Sequence, residues 1–366
     1  MSLALYRKYR PETFDQIVGQ EHITQTLTNA IEEDNISHAY LFTGPRGTGK
    51  TTTARLLAKA VNCKEEGIEP CNECESCKEI TKGNAVDLIE IDAASHRGID
   101  EIRELREGIK FSPTKSQYKV FIIDESHQLT KAAANALLKT LEEPPEHAIF
   151  VLATTEPQKM IPTIVSRCQR FDFRRLTVPE IKEQLNSIVE QEGIEIEDAA
   201  LELIALNSDG SVRDGESILD QVLTFSNTDA KIKADDIKDL LGIVDINLVA
   251  DFVDLLVAQK TAQAIKYINE LLEKGKDPEE LTKALVDYLR KGLILKVTDA
   301  EDRGESTISG LTKEEFEKLK QQVSQFEKEE LSDVLEEFSE AQNKMKYASI
   351  PQLPLELAIV DICEED

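Results

Sequence analysis

Five short apolar runs punctuate the first half of the chain, at residues 38–42, 87–91, 119–123, 148–153 and 169–173. They read as strands, and the segments between them carry helical patterns. Ala54, Leu57, Ala58 and Val61, for example, share one face of a helix from Thr52 to Val61. Such alternation predicts an α/β domain with a parallel sheet and helices on both faces. After residue 176 the strand signal stops. Pro179-Glu180 opens a helical stretch, with helices expected over 179–192, 198–208, 212–225 and 234–241. Helical patterning resumes near Asp245 and runs to the end, with the loosest connection at Gly304 to Gly310. The expected division is an α/β domain at 1–176, a small helical domain at 177–243 and an all-helical domain at 244–366.

The turn after the first strand is Gly44-Pro45-Arg46-Gly47-Thr48-Gly49-Lys50-Thr51, a full match to G-x-x-x-x-G-K-[ST]. Glycines let backbone amides close around phosphates, and the helix N-terminus adds partial positive charge. Gly44 through Thr52 are therefore candidate ATP-binding residues. Lys50 would reach the β and γ phosphates, and the Thr51 hydroxyl would ligate Mg²⁺. About 70 residues later, Val120-Phe121-Ile122-Ile123 ends in Asp124-Glu125. Beside a phosphate loop, Asp124 would hold Mg²⁺ and Glu125 would orient or deprotonate water. A strand end with solvated charges is the plainer alternative. Thr155, after the next strand, either senses the γ-phosphate or caps a helix beginning at Pro157.

Charge narrows the picture. The chain carries 70 acidic and 43 basic residues, a net of −27, which argues against gripping nucleic acid by bulk charge. Residues 244–366 alone hold 28 acidic and 15 basic side chains, so they do not read as a DNA-binding arm. A local basic track stays possible. No run of 18 apolar residues occurs, so no membrane span is expected. Residues 1–10 lack the apolar core of a signal peptide, so a cytoplasmic location with reduced cysteines is expected.

Four of six cysteines, Cys63, Cys71, Cys74 and Cys77, form C-x7-C-x2-C-x2-C. Four thiolates at this spacing suit one tetrahedral Zn²⁺; two disulfides or an iron–sulfur cluster are the rival readings. Cys168 and Cys363 are isolated and read as buried small apolar residues.

Several further segments carry a resemblance. They are Tyr6-Arg7-Lys8-Tyr9-Arg10-Pro11, Val18-Gly19-Gln20-Glu21-His22, Ala136 through Pro145, Ser166-Arg167-Cys168 and Gly210-Ser211-Val212-Arg213-Asp214. With the phosphate loop, these resemble the AAA+ ATPases, and closely the bacterial clamp-loader ATPases of DNA polymerase III. The likeness spans about residues 1–242 and continues more weakly to the end; ending at Asp366, the chain resembles a three-domain core of longer family members. The resemblance implies a helical lid after the α/β domain and a C-terminal collar for oligomerisation. It implies a structural zinc module at about residues 62–80, held by the four cysteines. Thr155 becomes sensor 1 and Arg213 sensor 2, while Arg167 becomes an arginine finger reaching a neighbour's site. Otherwise the two arginines would be ordinary surface residues. Tyr6, Arg10, Pro11 and Val18 would enclose the adenine from the N-terminal side. Gly215, where alanine is expected, departs from the pattern and would loosen the lid helix by ~1 kcal/mol.

The implied function is an ATPase motor within a hetero-oligomer. Its partners would be delta and delta-prime subunits, further copies of the chain, a sliding clamp and primer–template DNA, and it would join the nucleoid during replication. The helix start near Ala93–Asp100, with Arg97 and Arg103, would meet DNA phosphates, as would Lys131 and Lys139; solvated surface charge is the alternative. A ring helicase or branch-migration motor and a non-hydrolysing structural subunit are rival readings. The zinc motif and Ser-Arg-Cys disfavour the first; intact Lys50, Thr51, Asp124 and Glu125 disfavour the second.

Overall fold

The computed structural model describes residues 3–65, 67–95, 107–225, 231–242, 244–298 and 312–364. The chain divides into two compact units, Met1–Asp236 and Ile237–Asp366.

In the first unit, β1 (Ala39–Thr43), β2 (Leu88–Asp92), β3 (Lys119–Asp124), β4 (Ala148–Thr154) and β5 (Gln169–Asp172) form one sheet. Its order is β2-β3-β4-β1-β5, and every pairing is parallel. All five expected strands are present, with ends displaced by a residue or so. Side chains alternate between two cores. Tyr40 and Phe42 pack with Phe14, Leu57 and Val151 on one face; Ala39 and Leu41 pack with Phe121, Leu137 and Leu152 on the other. This is the period of two expected of strands buried on both sides. Because the strands are parallel, the segments that follow β1, β3 and β4 leave from one edge, with β4 between the other two.

Local chemistry starts the helices that flank this edge. Gly49, left-handed at φ 99°, precedes the helix Lys50–Val61. Thr130 accepts from the Ala133 amide to cap Lys131–Glu142. The helix Val178–Glu192 opens with Thr177 donating its amide to Glu180 Oε2 at 2.8 Å. The same Glu180 takes two hydrogen bonds from Arg174, which with the Thr177 contacts hold its carboxyl down at about 2. Helices Asp198–Leu206 and Val212–Phe225 follow, and the expected helix Ala234–Leu241 runs across the sequence division between the two units.

Gly215 corrects the simple propensity argument. A Cβ there would stand 2.8 Å from Ser208 Oγ and 3.3 Å from Ile181 Cγ2. Ser208 is itself tied back to the Ile204 carbonyl at 2.6 Å. The missing side chain is what lets three lid segments close on one another, so the position is a packing requirement.

The N-terminal arm bridges both parts of the first unit. Lys8 Nζ and Tyr9 Oη reach Glu192 at 2.6 and 2.8 Å. Buried Gln20 donates to the Arg174 carbonyl at 2.9 Å and accepts from the Arg174 amide at 3.2 Å.

The second unit is helical among its described residues: Ile246–Val257, Thr261–Glu273, Pro278–Val297, Lys313–Val323, Lys328–Met345 and Leu353–Glu364. Phe252, Leu285, Tyr288, Leu331, Phe338 and Leu355 belong to its core. Buried Gln322 links Tyr288 Oη, the Ala250 carbonyl and Asp254 at 2.6–2.7 Å. Gly304 to Gly310 lie outside the described residues. No helix of the described residues is long and apolar enough to cross a membrane.

Asp87, just before β2, is 3 % exposed and accepts amides of Thr114, Lys115 and Ser116 at 2.8–3.0 Å. Burial pushes its carboxyl up, but these amides outweigh that and hold it below the usual range. Asp87→Asn should cost ~2 kcal/mol at neutral pH, since charge-assisted bonds are lost. The contribution is present above the unfolded-state pKa of ~3.9 and is lost as pH falls through the lower native value. The gap in urea midpoint between wild type and variant should therefore close under acid conditions. A gap unchanged down to about pH 2 would refute the assignment.

Candidate functional site

A cleft opens at the carboxyl edge of the sheet, where the phosphate loop leaves β1. At Gly44, φ 142°, a Cβ would overlap the Phe173 carbonyl, so the loop's first turn requires glycine. Arg46, Gly47, Thr48, Gly49, Lys50, Thr51 and Thr52 all line the cleft. Thr48 braces the loop through Pro45 O at 2.9 Å. Lys50 is 6 % exposed and donates to the carbonyls of Gly44 and Pro45 at 2.8 and 2.6 Å. Burial lowers its pKa, while Glu125 and Asp124 pull it back up.

The β1 and β3 motifs meet directly. Thr51 Oγ1 donates to Asp124 Oδ2 at 2.7 Å, setting a hydroxyl beside a carboxylate as a divalent-cation site needs. This donor set fits Mg²⁺. Glu125 has left-handed backbone, φ 47° and ψ 42°, which turns its side chain into the cleft after β3. Its Oε2 accepts from Thr155 Oγ1 at 2.9 Å. The turn Pro157–Lys159 is preceded by Glu156 as its N-cap, with no side-chain cap bond, so Thr155 does not cap it.

The arm and the lid close the cleft. Tyr6, Arg10, Pro11 and Val18 line it from the N-terminal side. Arg213, from the lid, lines it too, its guanidinium 4.9 Å from the Tyr6 ring centroid. Arg167 does not line this cleft. It bonds Glu142 Oε1 at 2.6 Å and the Thr163 carbonyl at 2.8 Å, half-exposed on another face.

The four cysteine sulfurs lie within 4.8 Å of one another. Cys63 and Cys77 Sγ are 3.8 Å apart, far beyond the ~2.05 Å of a disulfide and near the edge of a tetrahedron with ~2.3 Å metal–sulfur bonds. Amides of Cys71, Cys74 and Cys77 each point at a preceding sulfur, at 3.3–3.5 Å. Such donation favours thiolates, and the set fits Zn²⁺. Burial pushes the Cys74 thiol up, but amides of Cys77 and Lys64 outweigh it and bring it to about 6. Asn72, between two of these cysteines, donates to Glu12 O at 3.0 Å and accepts from buried Lys59 at 2.9 Å. Glu69 takes the Phe14 amide at 2.7 Å. The cysteine segment thus holds the arm. Cys168 and Cys363 are half-buried against two cores rather than buried.

Of the proposed DNA contacts, Arg97 and Arg103 lie outside the described residues. Lys131 and Lys139 are exposed on one helix.

Sequence reasoning missed some cleft residues. Ile17 and Leu176 are apolar and gave no signal apart from core packing. Gln184 and Glu216 also line the cleft. Glu216 follows Arg213 by three positions, so helical spacing put it on the same face. His127 was missed as well. Its side chain is 3 % exposed, with Nδ1 2.9 Å from Thr154 Oγ1 and 3.5 Å from Glu125 Oε2.

Known proteins resemble this chain along its length. Residues 19–177 match the family DNA polymerase III, delta subunit. Residues 180–228 match the DNA polymerase III clamp loader subunit, ATPase lid domain, and 232–365 match DNA polymerase III subunits gamma and tau domain III. DNA polymerase III subunit tau of Bacillus subtilis is 46 % identical over 362 residues, 99 % of this chain and 63 % of that protein. DNA polymerase III subunit gamma/tau of Mycobacterium tuberculosis is 40 % identical over 359 residues, covering 97 % and 61 %. The chain thus spans less than two thirds of the length of these relatives. A solved structure, the Thermotoga maritima RuvB Holliday junction branch migration motor, aligns at TM-score 0.49 and 22 % identity over 68 % of this chain and 79 % of that one.

Gly47, at φ 74°, is where lid meets loop: a Cβ there would overlap the Ser211 hydroxyl. Gly47→Ala should weaken binding of a fluorescent ATP analogue by at least ~10-fold, as the lid is pushed back. Adding Ser211→Gly should recover part of the loss, because the overlap then disappears. Equal affinity in wild type and Gly47→Ala would show that lid approach is irrelevant to binding.

Proposed function

Because the chain belongs to the gamma/tau family of bacterial DNA polymerase III clamp-loader subunits, we propose that it is the ATPase motor of a clamp loader. ATP binding assembles it with delta, delta-prime and further copies of itself, and the assembly opens a sliding clamp. Hydrolysis on primer–template DNA closes the clamp and releases the loader. Residues 1–176 act as the nucleotide-binding domain, 177–243 as the lid and 244–366 as the collar. The work takes place in the cytoplasm, at the nucleoid during replication.

One observation carries this reading: Lys50, the Thr51–Asp124 pair and the Thr155–Glu125 pair converge at one edge of the sheet. Loop amides and the N-terminus of Lys50–Val61 receive the phosphates. Lys50 exchanges two carbonyl partners for phosphate oxygens, an anionic environment that offsets its burial. Mg²⁺ held by Thr51 and Asp124 would neutralise charge on the β and γ phosphates. Glu125 takes the proton of the attacking water, and the Thr155 hydroxyl fixes the orientation of its carboxylate. Arg213 closes over the triphosphate from the lid, stacked on Tyr6. Arg167 leaves Glu142 to serve the neighbouring subunit's site. Cys63, Cys71, Cys74 and Cys77 hold a structural Zn²⁺; four thiolates leave no position for substrate.

Lys50→Ala should abolish ATP binding, whereas Glu125→Gln should bind normally and turn over at least ~10²-fold more slowly. Arg167→Ala should leave the isolated subunit's affinity unchanged and lower DNA-stimulated hydrolysis of the assembled loader by ~10²-fold or more. Mixing Arg167→Ala with Lys50→Ala subunits should restore activity at sites joining an intact Lys50 to an intact neighbouring Arg167. No recovery in a verified mixed assembly counts against the finger. For the metal, elemental analysis should find close to one zinc per chain. Stripping it should lower both the melting temperature and ATP affinity, since the cysteine segment holds the arm. Less than half an equivalent after reducing, metal-free purification rules out the zinc assignment.

A further inference from the structure

Two polar side chains in the cleft take no part in phosphate chemistry. Glu216 is 5 % exposed and lines the cleft from the lid helix Val212–Phe225. Gln184, on Val178–Glu192, lies near enough to that carboxyl to lower its pKa and lines the same cleft. The lid helix starts against the phosphate loop, where Ser211 and the Arg213 Cβ crowd Gly47. Positions three apart share a helix face, and one turn advances ~5.4 Å. Glu216 therefore stands about a turn farther from the phosphates than Arg213. The cleft also presents Val18 and Leu176, apolar walls of the kind a planar base contacts.

We propose that Glu216, with Gln184 beside it in the cleft, accepts a hydrogen bond from the exocyclic amine of the bound base and so makes the cleft selective for adenine nucleotides. The proposal rests on reading the cleft as an ATP site. A carboxyl this far from water is costly unless donors surround it. Burial pushes Glu216 up to about 7, and the neighbouring Gln184 opposes that only in part. Gln184 is one donor nearby, and a base amine supplies another. Adenine carries such an amine at C6, and an amine-free purine leaves the carboxyl with Gln184 alone. A purely structural carboxyl would make no such distinction between bases.

The test compares binding of ATP and of purine riboside triphosphate, which lacks the amine, by equilibrium titration of the full chain. Wild type should prefer ATP by at least ~10-fold, the loss expected when a buried acceptor goes unpaired. Glu216→Leu should bring the ratio to within about 2-fold while still binding both nucleotides, because phosphate contacts are untouched. Glu216→Gln, whose amide oxygen still accepts, should keep most of the preference. An unchanged ratio in Glu216→Leu, a ratio lost equally in Glu216→Gln, or no preference in wild type overturns the proposal. Lys50→Ala is the separate control: if it binds both nucleotides as wild type does, the ATP-site reading itself fails, whatever Glu216 does.

Discussion

The order of three parallel strands is the constraint on which the cleft depends. With β4 between β1 and β3, the phosphate loop, the Asp124-Glu125 pair and Thr155 leave one edge as neighbours. Nothing in the loops themselves would bring residue 51 within 2.7 Å of residue 124, or residue 155 within 2.9 Å of residue 125. Interleaved cores on both faces fix the strands, so the geometry of the polar side chains follows from apolar packing. Chemistry at the edge is only as well defined as the alternation of Ala39, Tyr40, Leu41 and Phe42 beneath it.

The cleft is closed by segments from outside the sheet. The arm touches the lid through Glu192 and reaches the sheet-to-lid connection through Gln20 and Arg174, while the cysteine segment grips it through Asn72 and Glu69. These are single hydrogen bonds, each worth about 1 kcal/mol net, added to the burial of Phe14 and Ile17 in the sheet core.

The strands and the phosphate motif were legible in the sequence because each is local. Periodicity located all five strands, and glycine spacing located the loop. The cysteine cluster was legible for the same reason, since its four thiols fall within one short stretch. The roles of Arg167 and Arg213 were not local, and only resemblance to a family suggested them. Gly215 was misjudged, because propensity weighs a residue within its own helix and here Ser208 and Ile181 decide. Gln184, Glu216 and His127 escaped notice because polar residues on helices usually face solvent; their burial is set by tertiary packing.

On the proposed mechanism, Glu125 combines a required carboxylate with a backbone that side chains resist. Left-handed φ and ψ cost a glutamate of order 1 kcal/mol, and glycine or asparagine would sit there more comfortably. Selection for stability and selection for chemistry thus pull position 125 in opposite directions. Drift toward a sturdier fold at this one site would silence the subunit, leaving a well-folded paralogue able to occupy a place in an assembly without turning over ATP. If Glu125 works as proposed, one dihedral angle in this chain holds a route from motor to scaffold.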